Sequence, residues 1–317
     1  MTSQPHISVL LDEVVSAISP RDKGVYVDGT FGAGGYSRAL LDASDCTIWG
    51  IDRDPLAHQL AAEMIEQYNG RLTVLRGRYS EMASLLAEVG VDQIDGVALD
   101  IGISSMQIDD PSRGFSFSND GPLDMRMAQS GMSAADVVNQ MAEDELADII
   151  YKYGEERASR GIAKAIVEER ETKPITRTGQ LAYIVRGVVY RSKDGIDPAT
   201  RTFQALRIYV NGELDELEAG LTAAEALLAP GGRLAVVSFH SLEDRIVKTF
   251  LQSRSGRGPQ PSRHLPSHDA PEPEPTFKLI KRGTIKPSTE ECRRNPRARS
   301  ARLRVAERTS APVRIAA

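Results

Sequence analysis

Apolar segments of this chain repeatedly end on an aspartate: Gly24-Val25-Tyr26-Val27-Asp28, Thr47-Ile48-Trp49-Gly50-Ile51-Asp52 and Ile94-Asp95-Gly96-Val97-Ala98-Leu99-Asp100. Each has the length of a buried strand, and Leu72-Thr73-Val74-Leu75 reads as another between the last two. Helical stretches separate them: Tyr36 to Ala43, Pro55 to about Tyr68, and one capped by Ser80 that runs to about Val89. Strands alternating with helices predict a parallel sheet covered on both faces. Ligands of such sheets bind beyond the carboxyl ends of the strands, which is where these aspartates stand.

The first strand leads into Asp28-Gly29-Thr30-Phe31-Gly32-Ala33-Gly34-Gly35-Tyr36-Ser37. Glycines there let the backbone come close to a ligand and adopt positive φ, and the following helix start offers unpaired N–H groups. The dinucleotide fingerprint is not met, because Ser37 stands where Gly or Ala is required. Nor does a Gly-Lys-Ser/Thr follow, which excludes a P-loop. Asp52 ends the second strand, where a carboxylate can accept both ribose hydroxyls of an adenosine. That geometry serves NAD and S-adenosylmethionine alike.

Beyond Asp100 the pattern changes. Ser133 to Met141, Ala142 to Tyr153, Glu155 to Glu171 and Gly179 to Val189 read as helices, with Ser133 and Thr178 as caps, and no strand pair is evident. The expected organisation is a discontinuous sheet domain, 1–103 and 210–317, interrupted by a helical insertion, 104–209. A long helix from about Asn211 to Leu228 ends at Pro230-Gly231-Gly232, where a strand to Phe239 begins. Ser241 to Leu251 is helical. Residues 253–276 contain six prolines and read as a loop. Phe277 to Lys281 and Ala301 to Val305 alternate as strands and predict a final hairpin at one edge of the sheet.

No apolar run approaches the roughly 18 residues of a membrane span, and Met1 to Val15 carries Asp12 and Glu13 but no Lys or Arg, unlike a signal peptide. Cys46 and Cys292 are the only cysteines, which excludes a disulfide framework and a cysteine zinc cluster. A cytoplasmic enzyme without a metal is expected. Charge is asymmetric: Arg254 to Ala317 holds 15 Lys or Arg against 6 Asp or Glu, whereas the remainder holds 24 against 38. A basic end on an acidic body suggests an anionic partner, and Arg293-Arg294-Asn295-Pro296-Arg297-Ala298-Arg299 is its densest part.

Further blocks complete a specific pattern. They include His6 to Glu13, Ile51-Asp52-Arg53-Asp54-Pro55, Asp100 to Asp109, Arg113-Gly114-Phe115-Ser116-Phe117 and Gly121 to Met127. They continue with Tyr153-Gly154-Glu155-Glu156-Arg157, Ala199 to Ala205, Ser238-Phe239-His240-Ser241-Leu242-Glu243-Asp244-Arg245 and Asn295 to Ser300. In this order, nearly end to end, the chain resembles the RsmH (MraW) family of ribosomal RNA methyltransferases. The resemblance implies an α/β fold, a class I S-adenosylmethionine-dependent (Rossmann-like) sheet with an inserted all-helical domain for substrate recognition. It implies S-adenosyl-L-methionine as cofactor. The implied substrate is the N4 amine of a cytidine in the decoding centre of 16S rRNA, within the small ribosomal subunit. It is compatible with a homodimer. Gly34, Gly35 and Tyr36 match the lining of the methionine end, with Tyr36 where the family more often has His. Asp52 matches the ribose carboxylate, Tyr79 stands where Phe packs on adenine, and Asp100 and Gln107 match the remaining contacts.

The cytosine amine is a poor nucleophile, because its lone pair is delocalised into the ring. The Asn/Asp-Pro-Pro-Tyr sequence that many amino-methyltransferases use is missing; Asp100-Ile101-Gly102-Ile103-Ser104-Ser105 occupies its place. Asp100, Ser104 and Ser105 are therefore expected to orient the amine, so that positioning provides most of the catalysis. His240 is a further candidate, as proton acceptor or as a base or phosphate contact. Phe115, Phe117, Asp124 and Arg126 have the residue types to hold a flipped base. Arg126, Arg201, Arg207, Arg297 and Arg299 are expected to meet RNA. Two other readings share the sheet: an NAD-dependent oxidoreductase, and an RNA-binding protein on a retired methyltransferase fold. The imperfect glycine fingerprint speaks against the first, and the intact Gly34, Gly35, Asp52 and Asp100 against the second.

Overall fold

The computed structural model describes residues 8–128, 130–190, 195–256 and 274–314. The chain divides into two compact units: Met1–Gly102 with Leu214–Ala317, and Ile103–Glu213.

The first unit is built on a seven-stranded sheet of order β3-β2-β1-β4-β5-β7-β6, comprising β1 (Val25–Asp28), β2 (Thr47–Asp52), β3 (Leu72–Arg76), β4 (Ile94–Asp100), β5 (Leu228–Ser238), β6 (Phe277–Leu279) and β7 (Arg302–Arg308). β1 to β5 run parallel, and β7 pairs antiparallel with both β5 and β6. This is an open α/β sheet, parallel except at one edge, where the expected hairpin lies. Alternate side chains feed two cores. Tyr26, Ile48, Leu72 and Val237 join one, and Val27, Ile51, Leu99 and Val236 the other. Both faces are therefore covered, as a parallel sheet requires. Strand order reverses between β1 and β4, and the crevice at such a switch point is where open α/β sheets bind ligands.

Several local expectations change. Ser80 does not cap a helix; it lies in the 3-10 turn Tyr79–Glu81, ahead of the helix Met82–Glu88. The Glu81 carboxylate accepts the Arg78 N–H at 2.9 Å and stabilises that turn instead. Pro230-Gly231-Gly232 lies inside β5, where the pairing with β4 shifts register between Ile94 and Gly96. The helix Leu11–Ile18 was not expected; it buries Val14, Ala17 and Ile18. The connection within the final hairpin carries the helix Thr289–Arg294 and the 3-10 turn Pro296–Ser300. Most of the proline-rich stretch, 257–273, lies outside the described residues.

The second unit is helical. Its main helices are Ala134–Gln140, Glu143–Gly154, Ser159–Thr172, Thr178–Val188 and Ala199–Asn211. They share a core of Leu123, Leu146, Ile150, Ile162, Leu181 and Leu206, among others. Ser133 caps its helix as expected, accepting the Asp136 N–H. Thr178 does not: it opens the helix, and its hydroxyl accepts the Gly121 N–H at 3.0 Å. The helix expected from Asn211 onward is two helices, Ala199–Asn211 and Glu213–Leu227, separated by Gly212 at φ 62. A glycine in this left-handed conformation is the usual helix terminator.

Candidate active site

Asp28, at the end of β1, is buried. Its Oδ2 accepts the Ser37 hydroxyl at 2.7 Å and the Ser37 N–H at 3.2 Å, and its Oδ1 accepts the Thr30 N–H at 3.4 Å. The carboxylate thus binds both ends of the glycine turn. Burial is the main reason its pKa is pushed up to about 6.

Asp52, at the end of β2, holds the middle of the turn. Its Oδ2 accepts the Gly32 N–H and its Oδ1 the Asp54 N–H, each at 2.8 Å. A carboxylate oxygen has a second lone pair, so acceptor capacity for ribose hydroxyls remains. Asp54 is the N-cap of the helix Pro55–Gln67, which leaves Asp52 to the turn.

Asp100, at the end of β4, donates its N–H to Thr30 Oγ1 at 2.7 Å. Its Oδ1 is buried without a hydrogen-bond partner. Burial, then the Asp28 and Glu243 carboxylates, push its pKa up to about 8. A buried, unpaired carboxyl oxygen is costly unless a ligand meets it.

The glycines act through their backbone. Gly34 has φ 74, and a Cβ there would lie 2.8 Å from the Phe31 ring and 2.9 Å from Met64 Sδ. A Cβ on Gly35 would lie 1.8 Å from Ser8 Oγ. A Cβ on Gly32, at φ 53, would meet nothing closer than the Thr30 carbonyl oxygen at 3.8 Å. Gly34 and Gly35 are thus needed for packing behind the turn, and Gly32 borders open space. Tyr36 is also directed inward: its ring is buried, and its hydroxyl donates to the Val9 carbonyl at 2.5 Å. Tyr79 is buried, with its ring against Gly220, where a Cβ would lie 2.4 Å away.

His240 follows β5 and caps the helix Ser241–Arg254. The fully buried Glu243 answers it from the next turn, with Oε2 accepting the Phe239 N–H at 2.7 Å and the His240 N–H at 3.2 Å. Glu243 was not among the expected site residues, although His240-x-x-Glu243 has the spacing of a capping box. Nor was Glu216, which is 3.0 Å from Arg53 and 2.8 Å from Arg78.

The arrangement is a tight glycine turn at the switch point with carboxyls at three neighbouring strand ends. A model of one family, described as MraW methylase, matches residues 3–309. The chain belongs to the MraW methylase family. It is 63% identical to the Ribosomal RNA small subunit methyltransferase H of Paramagnetospirillum magneticum, over 98% of each chain. It is 65% identical to the protein of that name from Rhodospirillum centenum, over 98% of this chain and 94% of the relative. The corresponding protein of Rhodospirillum rubrum is 58% identical over 97% and 95%.

As a methylase of the MraW family, the chain uses S-adenosylmethionine. The residues present fit it. Asp52 offers acceptors to ribose, and the unpaired Asp100 oxygen suits the cationic methionine end.

Ser104, Ser105, Gln107, Arg126, Arg201 and Arg207 lie in the helical unit. Ser104 and Gln107 form a capping box: Gln107 Oε1 accepts the Ser104 N–H at 3.1 Å, and Ser104 Oγ accepts the Gln107 N–H at 3.2 Å. Ser105 begins the helix Ser105–Asp109 that they cap. Two of the expected RNA-contacting arginines are otherwise engaged. Arg126 pairs with Asp124 through Nε at 2.9 Å and Nη2 at 2.6 Å, and Arg207 pairs bidentately with Glu213 at 2.9 Å. A guanidinium fork satisfied by a carboxylate has little left for a phosphate, so the expectation moves to the others. Arg201 is half exposed near Glu156, at 3.6 Å. Arg297 and Arg299 are exposed on the turn Pro296–Ser300 of the sheet unit. Among the described residues, no helix is long and apolar enough to cross a membrane.

Proposed function

We propose that this chain transfers a methyl group from S-adenosylmethionine to the exocyclic N4 amine of a cytidine in the decoding centre of 16S rRNA, in the cytoplasm. The observation that carries the reading is identity of 63% and 65%, almost end to end, to proteins named for small-subunit rRNA methylation. The choice of N4 and of the decoding centre rests on the family resemblance of the ordered sequence blocks. The assembled small subunit is the proposed substrate, with the helical unit recognising it.

When bound, the cofactor supplies an electrophilic methyl group. The remaining work belongs to the protein. Asp52 orients the ribose, and the glycine turn sets the depth of the pocket. To receive that methyl group the amine must present its nitrogen lone pair and give up one N4 proton. Asp100, with Ser104 and Ser105, accepts the amine's hydrogens and holds its lone pair in line with the methyl group, which lowers the barrier by alignment. Arg201, Arg297 and Arg299 hold phosphates and confer no base specificity themselves.

The deciding experiment is transfer of labelled methyl to small ribosomal subunits that lack the modification, with naked 16S rRNA alongside and digestion to nucleosides. Label in N4-methylcytidine from the subunits supports the proposal. Label in another nucleoside, or none despite cofactor binding, overturns it.

A further inference from the structure

Ser8-Val9-Leu10 joins two parts of the sheet unit that the proposed reaction uses for different ends. On one side it packs on the glycine turn. Gly35 is so close to Ser8 that no Cβ fits between them, and the Tyr36 hydroxyl donates to the Val9 carbonyl at 2.5 Å. On the other side the Leu10 N–H donates to Glu291 Oε1 at 2.7 Å. These three residues are buried, and Leu10 sits at φ 53. That conformation is uncommon for a branched side chain and persists only where the surroundings hold it.

Glu291 belongs to the helix Thr289–Arg294, which exposes Arg293 and Arg294 and leads directly to the exposed Arg297 and Arg299. The buried segment therefore runs from the backbone of the cofactor turn to the arginine-rich segment Arg293 to Arg299. Tyr36 is the link at the first end and Glu291 at the second.

We propose that Tyr36 and Glu291 are positioning residues, which hold the glycine turn in its binding conformation through Ser8-Val9-Leu10. Phosphates gathered on the Arg293-to-Arg299 surface tighten cofactor binding through the same connection. This inference rests on the cofactor reading given above. The turn offers backbone N–H groups, whose directions depend on how the helix Gly35–Ala43 is seated. Releasing either end of the segment widens the set of conformations that binding must then narrow. By linkage, the cofactor must tighten RNA binding by the same factor.

The test is calorimetric titration of S-adenosylhomocysteine into the wild type, Tyr36→Phe, Glu291→Ala and the double variant, with thermal unfolding of each. Either single change is expected to raise Kd about three- to ten-fold, the range for one lost hydrogen bond. Glu291→Gln, which keeps the acceptor, returns Kd to the wild-type value. The double variant binds no more weakly than the weaker single, because both changes break one connection. Small ribosomal subunits lower Kd about five-fold or more in the wild type and have no such effect in Tyr36→Phe. Unchanged Kd with a lowered Tm overturns the inference, and so do additive losses. A wild type that binds no S-adenosylhomocysteine overturns the cofactor reading itself. Should Tyr36→Phe fail to fold, the comparison of Glu291→Ala with Glu291→Gln decides alone.

Discussion

His240 Nε2 lies 2.9 Å from Glu243 Oε1, one turn along the helix that the two residues cap together. The Glu243 N–H also points to His240 Nδ1, at 3.4 Å. The Nδ1 contact makes His240 a capping residue, whereas Nε2, though close to Glu243 Oε1, makes no hydrogen bond there. His240→Asn keeps a good cap and is expected to hold Tm within about 2 °C, whereas His240→Ala loses about 1 kcal/mol of stability. Both retain methyl transfer in the labelled-subunit assay. Loss of turnover in His240→Asn at unchanged Tm would return His240 to catalysis.

Asp100 makes the cofactor-free protein sensitive to pH. Its folded pKa of about 8 lies above the ordinary carboxylate value, so the folded state binds the proton more tightly than the unfolded chain. Stability from this group therefore falls as pH rises from about 4 to about 8, and levels off above. Asp28, at about 6, adds a slope of the same sign over a narrower window. Asp100→Asn is expected to raise Tm at pH 8 by several degrees while leaving it nearly unchanged at pH 4, and to weaken S-adenosylmethionine binding more than ten-fold, the loss of a charge-assisted contact. A Tm difference independent of pH would contradict the assignment.

Gly34→Ala places a methyl group 2.8 Å from Phe31 at a φ of 74. The left-handed conformation alone costs about 1 kcal/mol, and the clash adds to it. The expected result is loss of S-adenosylmethionine binding in calorimetry, with a protein that still unfolds cooperatively. Binding within two-fold of the wild type would show that the turn tolerates displacement.

The arginines separate into two groups. Arg297→Ala with Arg299→Ala is expected to weaken subunit binding and to reduce its logarithmic salt slope by about 2, leaving cofactor affinity unchanged in the absence of subunits. Arg126→Ala removes a pair with Asp124 and a hydrogen bond to the Gly131 carbonyl. It is expected to lose about 1–2 kcal/mol in urea unfolding, without a change in salt slope. A reversed pattern would move the RNA surface to the helical unit.

Much of the sheet was legible because its signals are local. β2 and β4 have the bounds that their sequence runs suggest, since a strand covered on both faces is mostly apolar and each of these closes on its aspartate. The helix Ala199–Asn211 was not legible. Its register is apparent only once Phe203 and Leu206 are seen in the core of the helical unit. The turn at Pro230-Gly231-Gly232 was misplaced for a related reason. Its glycines resemble a chain reversal, yet they form the irregular stretch of β5 between Leu228 and Arg233, the residues that pair with β4 on either side.

The amino-acid sequence by itself determined the alternation of strand and helix, the carboxylates at the strand ends, the glycine turn and the family, because each resides in neighbouring residues or in their order. Only the tertiary structure decided what those residues touch. It turned Tyr36 inward to Val9, gave Arg126 and Arg207 carboxylate partners, and joined His240 to Glu243. It also left one oxygen of Asp100 buried without a partner. The physical reason is that burial and pairing are properties of three-dimensional neighbours. An arginine satisfied by a carboxylate and one exposed to solvent have the same letter in the chain.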